Sequence, residues 1–176
     1  AHMDGARLFN AAIATDTSPD RLVKEYDSVS ICLSKGLGAP VGSLLVGDED
    51  FISKAYRWRK MFGGGMRQSG LVAAAGIHAL ENHIGRLQDD HVRIKKLAQS
   101  LNSLSSFSVN MDTVQSNMIY VDIDKNKFTA DQVVQELALR DVHLFDTGPQ
   151  RIRAVAHLDV DDAGIEQAIK AFAEID

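Results

Sequence analysis

Cysteine is nearly absent from this sequence of 176 residues, in which Cys32 is the one thiol. An internal disulfide is therefore excluded, and the place of Cys32 within an apolar stretch favours a buried, inert thiol over a reactive one. Proline is also scarce, with three residues, and none of them interrupts residues 69–104. Long helices are therefore permitted in that part of the chain.

Basic charge and long apolar runs are missing as well. The formal net charge is -5, and the densest basic stretch, "RWRK" at 57–60, is too short to bind a nucleic-acid backbone. No run approaches the roughly 20 apolar residues that span a bilayer, and the first residues lack the pattern of a secretory signal. The histidines show no metal-ligand spacing. We therefore predict a cytoplasmic protein without a metal site, and without nucleic-acid or membrane partners.

The hydrophobic pattern predicts an α/β protein. Strands are predicted at 29–33 and 42–46, the second fully buried, and a helix is predicted at 49–61, between an acidic start and a glycine stop. One long helix or two abutting helices are predicted over 69–104. The remaining predicted elements are a strand at 117–123, a helix at 129–140 opened by a capping box of Thr129 and Gln132, strands at 142–145 and 151–156 around the turn "DTGPQ", and a helix at 161–174.

This order of elements predicts two domains, of which the first is incomplete and the second is complete. Residues 1–80 supply only two clear strands, whereas strands of a buried sheet normally have several parallel neighbours covered by helices. We therefore expect 1–80 to be the end of a larger domain, and 81–176 to be a complete small α/β domain. Without the rest of its sheet the first part would expose a wide apolar face, so this polypeptide is not expected to fold or work alone.

Lys35 follows the first predicted strand and precedes the glycine-rich stretch "GLGAPVG". Taken alone, it fits an ordinary solvated lysine beside a turn-rich connection. A phosphate-binding loop is the other alternative, but there the glycines precede the lysine and a helix follows. Here the order is reversed, which argues against that loop.

Four stretches together narrow the interpretation: "DGAR" at 4–7, "SKGLGAPVGS" at 34–43, "RKMFGGGMRQSG" at 59–70 and "RIRAVAHLDV" at 151–160. This combination resembles the low-specificity L-threonine aldolases, relatives of the β-eliminating lyases. The resemblance implies the aspartate-aminotransferase-like fold of pyridoxal-phosphate enzymes, called fold type I. It also implies that the chain is the carboxyl-terminal half of such an enzyme, with the end of the large cofactor domain and the small α/β domain.

The resemblance assigns Lys35 as the amine that binds pyridoxal 5'-phosphate as an imine. An amine beside a buried strand is fixed in place and partly desolvated, which favours its neutral, nucleophilic form. Ser34 and Gly36 leave room for a cofactor against the backbone. Asp4 matches the carboxylate that keeps the pyridine nitrogen protonated, so that the ring accepts electrons. The simpler alternative for Asp4 is the first residue of an Asp-Gly turn.

The resemblance further implies that two arginines, Arg7 and Arg153, bind the substrate carboxylate, for which a planar, bidentate donor is suited. Seen alone, each fits a surface charge. Arg151 points the same way as Arg153 in an alternating strand, so the sequence does not choose between them.

Lys60 and Arg67 match family residues that reach the cofactor phosphate, partly across a subunit interface. A helix stop with two solvated cations is the alternative for this stretch. His2 could assist Asp4 or simply pack. The role implied for Arg67 favours a homo-oligomer, with a tetramer expected and a dimer as the alternative.

The implied activity is cleavage of L-threonine or L-allo-threonine to glycine and acetaldehyde. A related activity, β-elimination, would use the same lysine and aspartate and release ammonia and a keto acid. A third alternative is a non-catalytic module that kept half of the fold as a binding surface. The residues that face the β-hydroxyl and stack on the ring are expected in the half that precedes this chain, which would be a further partner.

Overall fold

The computed structural model describes residues 1–176, which divide into two compact units, Ala1–Leu87 and Gln88–Asp176. The division lies seven residues beyond the boundary expected after residue 80. None of the helices combines the length and apolar character that crossing a membrane requires.

The first unit contains a small mixed sheet, with two helices between its first and second strands and two helices after its third. In chain order its elements are β1 (His2–Asp4), α1 (Leu8–Thr15), α2 (Pro19–Val23), β2 (Ser28–Cys32), β3 (Ser43–Gly47), α3 (Glu49–Met61) and α4 (Gly70–Asn82). β2 lies in the middle of the sheet, parallel to β1 and antiparallel to β3. Asp4 of β1 is in register with Ser30 of β2. This parallel pair is the part of the fold that positions the candidate site.

The second unit is an antiparallel sheet with helices packed on it. Its elements are α5 (Leu87–Leu101, which begins at the last residue of the first unit), β4 (Phe107–Ser108), a 3₁₀ turn (Met111–Thr113), β5 (Met118–Ile123), α6 (Ala130–Ala138), β6 (Phe145–Gly148), β7 (Arg151–Val155) and α7 (Asp162–Ile175). The strand order is β4-β5-β7-β6. Phe107 and Phe172 meet edge to face in its core, with ring centroids 4.9 Å apart.

Local sequence signals account for most helix boundaries. The helix predicted at 49–61 is confirmed as α3, and the Asp48 carboxylate caps it by accepting the Phe51 backbone N–H. The capping box at α6 is confirmed: Thr129 and Gln132 bond each other's backbone N–H groups. The region 69–104 forms two helices, α4 and α5, rather than one.

Two strand predictions were wrong in part. The strand predicted at 42–46 forms at Ser43–Gly47, but all five of its residues are exposed rather than buried. The apolar residues of a strand predict that another segment covers the strand, but they do not identify that segment. The strand predicted at 142–145 lies at Phe145–Gly148, because the connection to β7 is the short turn at Pro149 and Gln150, rather than the longer "DTGPQ".

The sequence analysis also missed several elements. It did not predict β1, α1, α2, β4 or the 3₁₀ turn. Most of these are too short for hydrophobic periodicity to register, since a three-residue strand completes only one period.

The carboxylate of Asp176 joins α7 to the segment before β4. It accepts the backbone N–H groups of Ser106 (2.6 Å) and Ser105 (3.1 Å). The Lys127 ammonium lies 4.0 Å from the same carboxylate. The hydrogen bond from the Ser106 side chain is the largest of the interactions that lower the pKa of Asp176 from 3.8 to about 2.

We expect Asp176→Asn to destabilise the protein at neutral pH, because the stabilising form is the ionised carboxylate. A carboxyl with a lowered folded-state pKa stabilises the fold above the unfolded value of 3.8, and this contribution is lost as the pH falls through about 2. Urea unfolding across this range, with each protein in the complete enzyme, should therefore show their free energies of unfolding converging in acid. Asp112→Asn, at an exposed carboxylate, is the control; a difference that stayed constant with pH would contradict this role.

Candidate active site

Two polar side chains lie at or just beyond the carboxyl ends of the parallel strands β1 and β2. Asp4 is the last residue of β1, and Lys35 comes three residues after Cys32, the last residue of β2. Both side chains are exposed in this chain. In open α/β sheets, ligands bind beyond the carboxyl ends of the strands. The topology therefore brings these two predicted site residues to one sheet edge, although Lys35 lacks the partial burial that the sequence analysis expected.

Asp4 begins a tight connection from β1 into α1. One of its carboxylate oxygens, Oδ1, accepts the backbone N–H of Ala6 at 3.1 Å. Gly5 has to be glycine here, because a Cβ would lie 2.9 Å from the Ser30 carbonyl oxygen on β2. His2, which the sequence analysis suggested could assist Asp4 or simply pack, lies 2.9 Å from the Ser28 hydroxyl through its Nδ1 atom.

Arg7 precedes the first turn of α1 with part of its guanidinium buried. Its Nε atom is shielded from solvent and has no hydrogen-bond partner within the chain. A buried N–H donor without an acceptor is costly, which favours a ligand that supplies one. Arg7 and Asp4 both border an open depression of about 450 Å³ beside β1.

The turn of Lys35 packs against α1 at Gly36. A Cβ at Gly36 would lie 2.9 Å from Leu87 Cδ2 and 3.6 Å from the Asn10 side-chain oxygen. Asn10 is buried, and it is one helical turn from Arg7. Arg7 and Lys35 are therefore held by neighbouring parts of one packed region.

Three further predicted cofactor residues lie on exposed segments. Ser34 directly precedes Lys35, Lys60 is in the last turn of α3, and Arg67 lies between α3 and α4. The glycine stretch that follows α3 turns back on the helix, with Gly63 at φ +88 and Gly65 beside the Lys60 side chain. The glycine stop predicted after this helix is confirmed. The phosphate contact of Lys60 and Arg67 stays a prediction.

The two arginines of β7, in the second unit, differ in their hydrogen-bond partners. Arg151 Nε donates to Asp122 Oδ1 at 2.6 Å, and this bond raises the pKa of Arg151. Arg153 is half-buried, and its Nε atom is shielded from solvent without a hydrogen-bond partner in the chain. Of the two, Arg153 is therefore the one left with an unsatisfied donor for a carboxylate ligand.

Arg153 lies between two aromatic residues on the open face of the sheet. It is paired in register with Tyr120 of β5 on one side and with Phe145 of β6 on the other. Residues directly opposite each other in neighbouring strands share a face and lie close together. Tyr120 is 43% exposed and Phe145 is 74% exposed. The unsatisfied guanidinium donor of Arg153 therefore lies between two exposed aromatic residues, on a surface that is open to a ligand.

A family model matches most of the chain. Residues 1–124, which include Asp4, Arg7 and Lys35, match the family described as beta-eliminating lyase. The chain belongs to the beta-eliminating lyase family.

Named relatives agree with this assignment, and with the predicted resemblance to threonine aldolases, which is confirmed. The chain is 44% identical over 175 residues to a probable low-specificity L-threonine aldolase 2 from Arabidopsis thaliana, covering 99% of this chain and 49% of the relative. It is 46% identical over 159 residues to the low specificity L-threonine aldolase of Escherichia coli K12, covering 90% and 46% respectively. This beta-eliminating lyase family chain thus spans about half the length of the curated relatives it matches.

Solved structures confirm the fold class. The model superimposes on a Listeria monocytogenes structure named for L-allo-threonine aldolase with a TM-score of 0.79 and 21% identity, covering 99% of this chain and 51% of the other. A serine palmitoyltransferase from Sphingomonas wittichii gives a TM-score of 0.70 at 19% identity, with coverages of 89% and 41%. This member of the beta-eliminating lyase family therefore has the α/β architecture of fold type I, as predicted.

The sequence analysis missed the residues that hold the turn of Lys35 in this member of the beta-eliminating lyase family. The Leu37 carbonyl oxygen lies 2.6 Å from His83 Nδ1, and the Gly36 carbonyl oxygen lies 3.4 Å from Arg86 Nη1. Both partners are more than forty positions away in sequence. No local pattern marks such a contact, because it depends on how α4 returns to the sheet.

Replacement of Gly36 by alanine should destabilise this beta-eliminating lyase family chain, because the new methyl group would meet the fully buried Leu87. Overpacking of this kind costs about 1 to 3 kcal/mol in the free energy of unfolding. Gly85→Ala is the matched control, since a Cβ there has no neighbour within 4 Å. Urea unfolding of both variants, each made in the complete enzyme with the other half present, checks this, and equal stabilities would show that the space at Gly36 is not restricted.

Proposed function

We propose that this chain forms the carboxyl-terminal half of a pyridoxal-phosphate-dependent aldolase that cleaves L-threonine or L-allo-threonine to glycine and acetaldehyde. The observation that carries the proposal is that Asp4 ends one strand and Lys35 follows the end of the neighbouring parallel strand. The relatives named as low-specificity L-threonine aldolases support the substrate class.

The cofactor fit rests on the donors and acceptors that this chain presents. Lys35 offers an exposed primary amine, and Asp4 offers an exposed carboxylate at the same edge of the sheet. Pyridoxal 5'-phosphate would supply an aldehyde that joins an amino group and a ring that delocalises an electron pair. In this proposal Lys35 holds the cofactor, and Asp4 keeps a proton on the ring nitrogen. Ser34, Lys60 and Arg67 contact the cofactor and its phosphate.

The substrate carboxylate is the proposed ligand of Arg7 and Arg153. Each of these arginines has a shielded Nε atom without a partner in the chain, and a carboxylate satisfies guanidinium donors in a planar, bidentate geometry. Holding the carboxylate fixes the rotation about the bond to Cα, which places the bond to be broken in the required orientation.

The proposed reaction breaks the bond between Cα and Cβ. A base takes the hydroxyl proton, the hydroxyl oxygen becomes the aldehyde oxygen, and a proton replaces the lost carbon at Cα. We expect this base, and the residue that stacks on the ring, to lie in the half of the enzyme that precedes this chain. Diastereomer preference would then be decided there.

The exposed apolar surface of the first unit supports the need for that other half. The three central residues of β3, Leu44, Leu45 and Val46, are each at least 40% exposed. A strand that is apolar on both faces and open at its edge is normally covered by further strands and helices. We propose that the complementary half completes this sheet and that the complete enzyme is a homo-oligomer, with a tetramer expected. Its location in the cytoplasm stays a prediction from the sequence.

The first test is peptide mass spectrometry after borohydride reduction, which fixes a lysine-bound cofactor covalently. We expect a pyridoxyl group on the Lys35 peptide, together with a polypeptide that carries the complementary half. An unmodified Lys35 peptide would overturn the proposal and favour a non-catalytic module. Lys35→Ala should abolish turnover, and normal turnover by that variant would exclude this mechanism.

The two arginines of β7 provide a matched test of substrate binding. We expect Arg153→Gln to raise the KM for L-threonine at least tenfold, because a charged hydrogen bond contributes about 1.5 to 3 kcal/mol. Arg151→Gln should change KM much less, since Arg151 is paired with Asp122. Steady-state kinetics of both variants decide this, and a larger effect at Arg151 would contradict the assignment.

A second candidate activity is β-elimination, which the description of the matching family favours. The products distinguish the two activities. The aldolase releases free glycine and acetaldehyde, whereas elimination releases ammonia and a keto acid. Identification of the products from L-threonine therefore decides between them.

A further inference from the structure

Lys35 opens a tight turn whose central carbonyl groups need partners elsewhere in the chain. The Gly38 backbone N–H donates to the Lys35 carbonyl at 2.8 Å, which closes the turn, and Gly38 has φ +73. This bond leaves the carbonyl groups of the two central residues, Gly36 and Leu37, outside the turn. Backbone carbonyls in a packed region are nearly always hydrogen-bonded, so these two require donors from another segment.

The connection between α4 and α5 supplies both donors. His83 Nδ1 lies 2.6 Å from the Leu37 carbonyl oxygen, and Arg86 Nη1 donates to the Gly36 carbonyl at 3.4 Å. Because a carbonyl only accepts, Nδ1 of His83 carries the proton. The shorter of the two bonds, and therefore the stronger restraint on the turn, is the one from His83.

His83 is itself held in place. Its backbone N–H donates to the Ala79 carbonyl at 2.9 Å, at the end of α4, and Ala79 is 1% exposed. The His83 ring meets the His78 ring edge to face, with centroids 5.2 Å apart. The ring is half-buried. His83 therefore connects a packed helix to the backbone of the turn.

Apolar packing alone leaves part of the turn unrestrained. Leu37 is 4% exposed and anchors one side of the turn among Leu33, Ala79 and Leu87. Burial holds a side chain at a given depth, whereas a directional hydrogen bond also fixes the rotation of the peptide group. The amine of Lys35 is at the end of a long exposed side chain, so its location depends on the orientation of the backbone that carries it.

We propose that His83 is a positioning residue for Lys35, and that it acts by holding the Leu37 carbonyl so that the lysine amine stays aligned with the cofactor. This inference rests on the proposed function. His83 does not contact substrate in this proposal, so its loss should lower kcat while leaving the KM for the amino acid nearly unchanged.

Two substitutions at His83 separate positioning from simple packing. His83→Phe keeps an aromatic ring and removes the donor. His83→Asn places an amide N–H the same number of bonds from Cβ as Nδ1, so it can donate to the same carbonyl. His143→Phe, at an exposed histidine of the other unit, is the control. All three are made in the complete enzyme, with the polypeptide that supplies the other half.

The measurements are kcat and KM, the pH titration of the absorbance of the bound cofactor, and hydrogen exchange of the Gly38 amide. We expect His83→Phe to lower kcat about tenfold, to displace the midpoint of the titration, and to speed exchange at Gly38. His83→Asn should restore all three towards the unmodified enzyme, and His143→Phe should leave them unchanged.

Two results would overturn the inference: an unchanged titration and unchanged exchange in a folded His83→Phe variant, or changes that His83→Asn does not reverse at all. Hydrogen exchange needs no cofactor, so it reports on the anchor by itself. If Lys35 carries no pyridoxyl group in the unmodified protein, the proposed function fails, and the positioning role fails with it. Altered exchange in His83→Phe would then identify a structural bond only.

Discussion

The parallel pairing of β1 with β2 is the constraint on which the candidate site depends. It brings the carboxyl ends of two strands to one edge of the sheet, so that Asp4 at the end of β1 and Lys35 beyond the end of β2 share that edge although thirty-one positions separate them. Gly5 permits the close approach of the backbone at this point, because any side chain would meet the Ser30 carbonyl. The turn of Lys35 is then packed against α1 through Gly36 and tied to the end of α4 by His83.

Two kinds of group in this chain lack a partner: hydrogen-bond donors without acceptors, and apolar surface that nothing covers. The shielded Nε atoms of Arg7 and Arg153 lack acceptors, and β3 lacks the neighbours that its apolar residues require. A stable protein seldom leaves either kind of group unsatisfied. In our proposal a bound carboxylate accepts hydrogen bonds from the two arginines, and the complementary half of the enzyme covers β3.

The sequence analysis was accurate for features that depend on residues close in sequence, and inaccurate for features that depend on residues far apart in sequence. Helices with local caps, α3 and α6, were predicted within two residues at each end, because a capping side chain and its backbone partner are three residues apart. The burial of β3 was predicted wrongly, because hydrophobicity does not identify the covering segment. Arg151 and Arg153 were indistinguishable in the alternating pattern, and only the cross-strand partner Asp122 separated them.

The sequence by itself determined the family and the fold class, and it predicted the residues of the candidate site. Those depend on residue types in short motifs, which a linear pattern preserves. Only the tertiary structure decided which arginine of β7 keeps an unsatisfied donor, that the lysine amine is exposed in this chain, and that His83 holds its turn. These properties arise from contacts between distant positions, and their geometry is set by strand register and helix packing, which have no signature in local sequence.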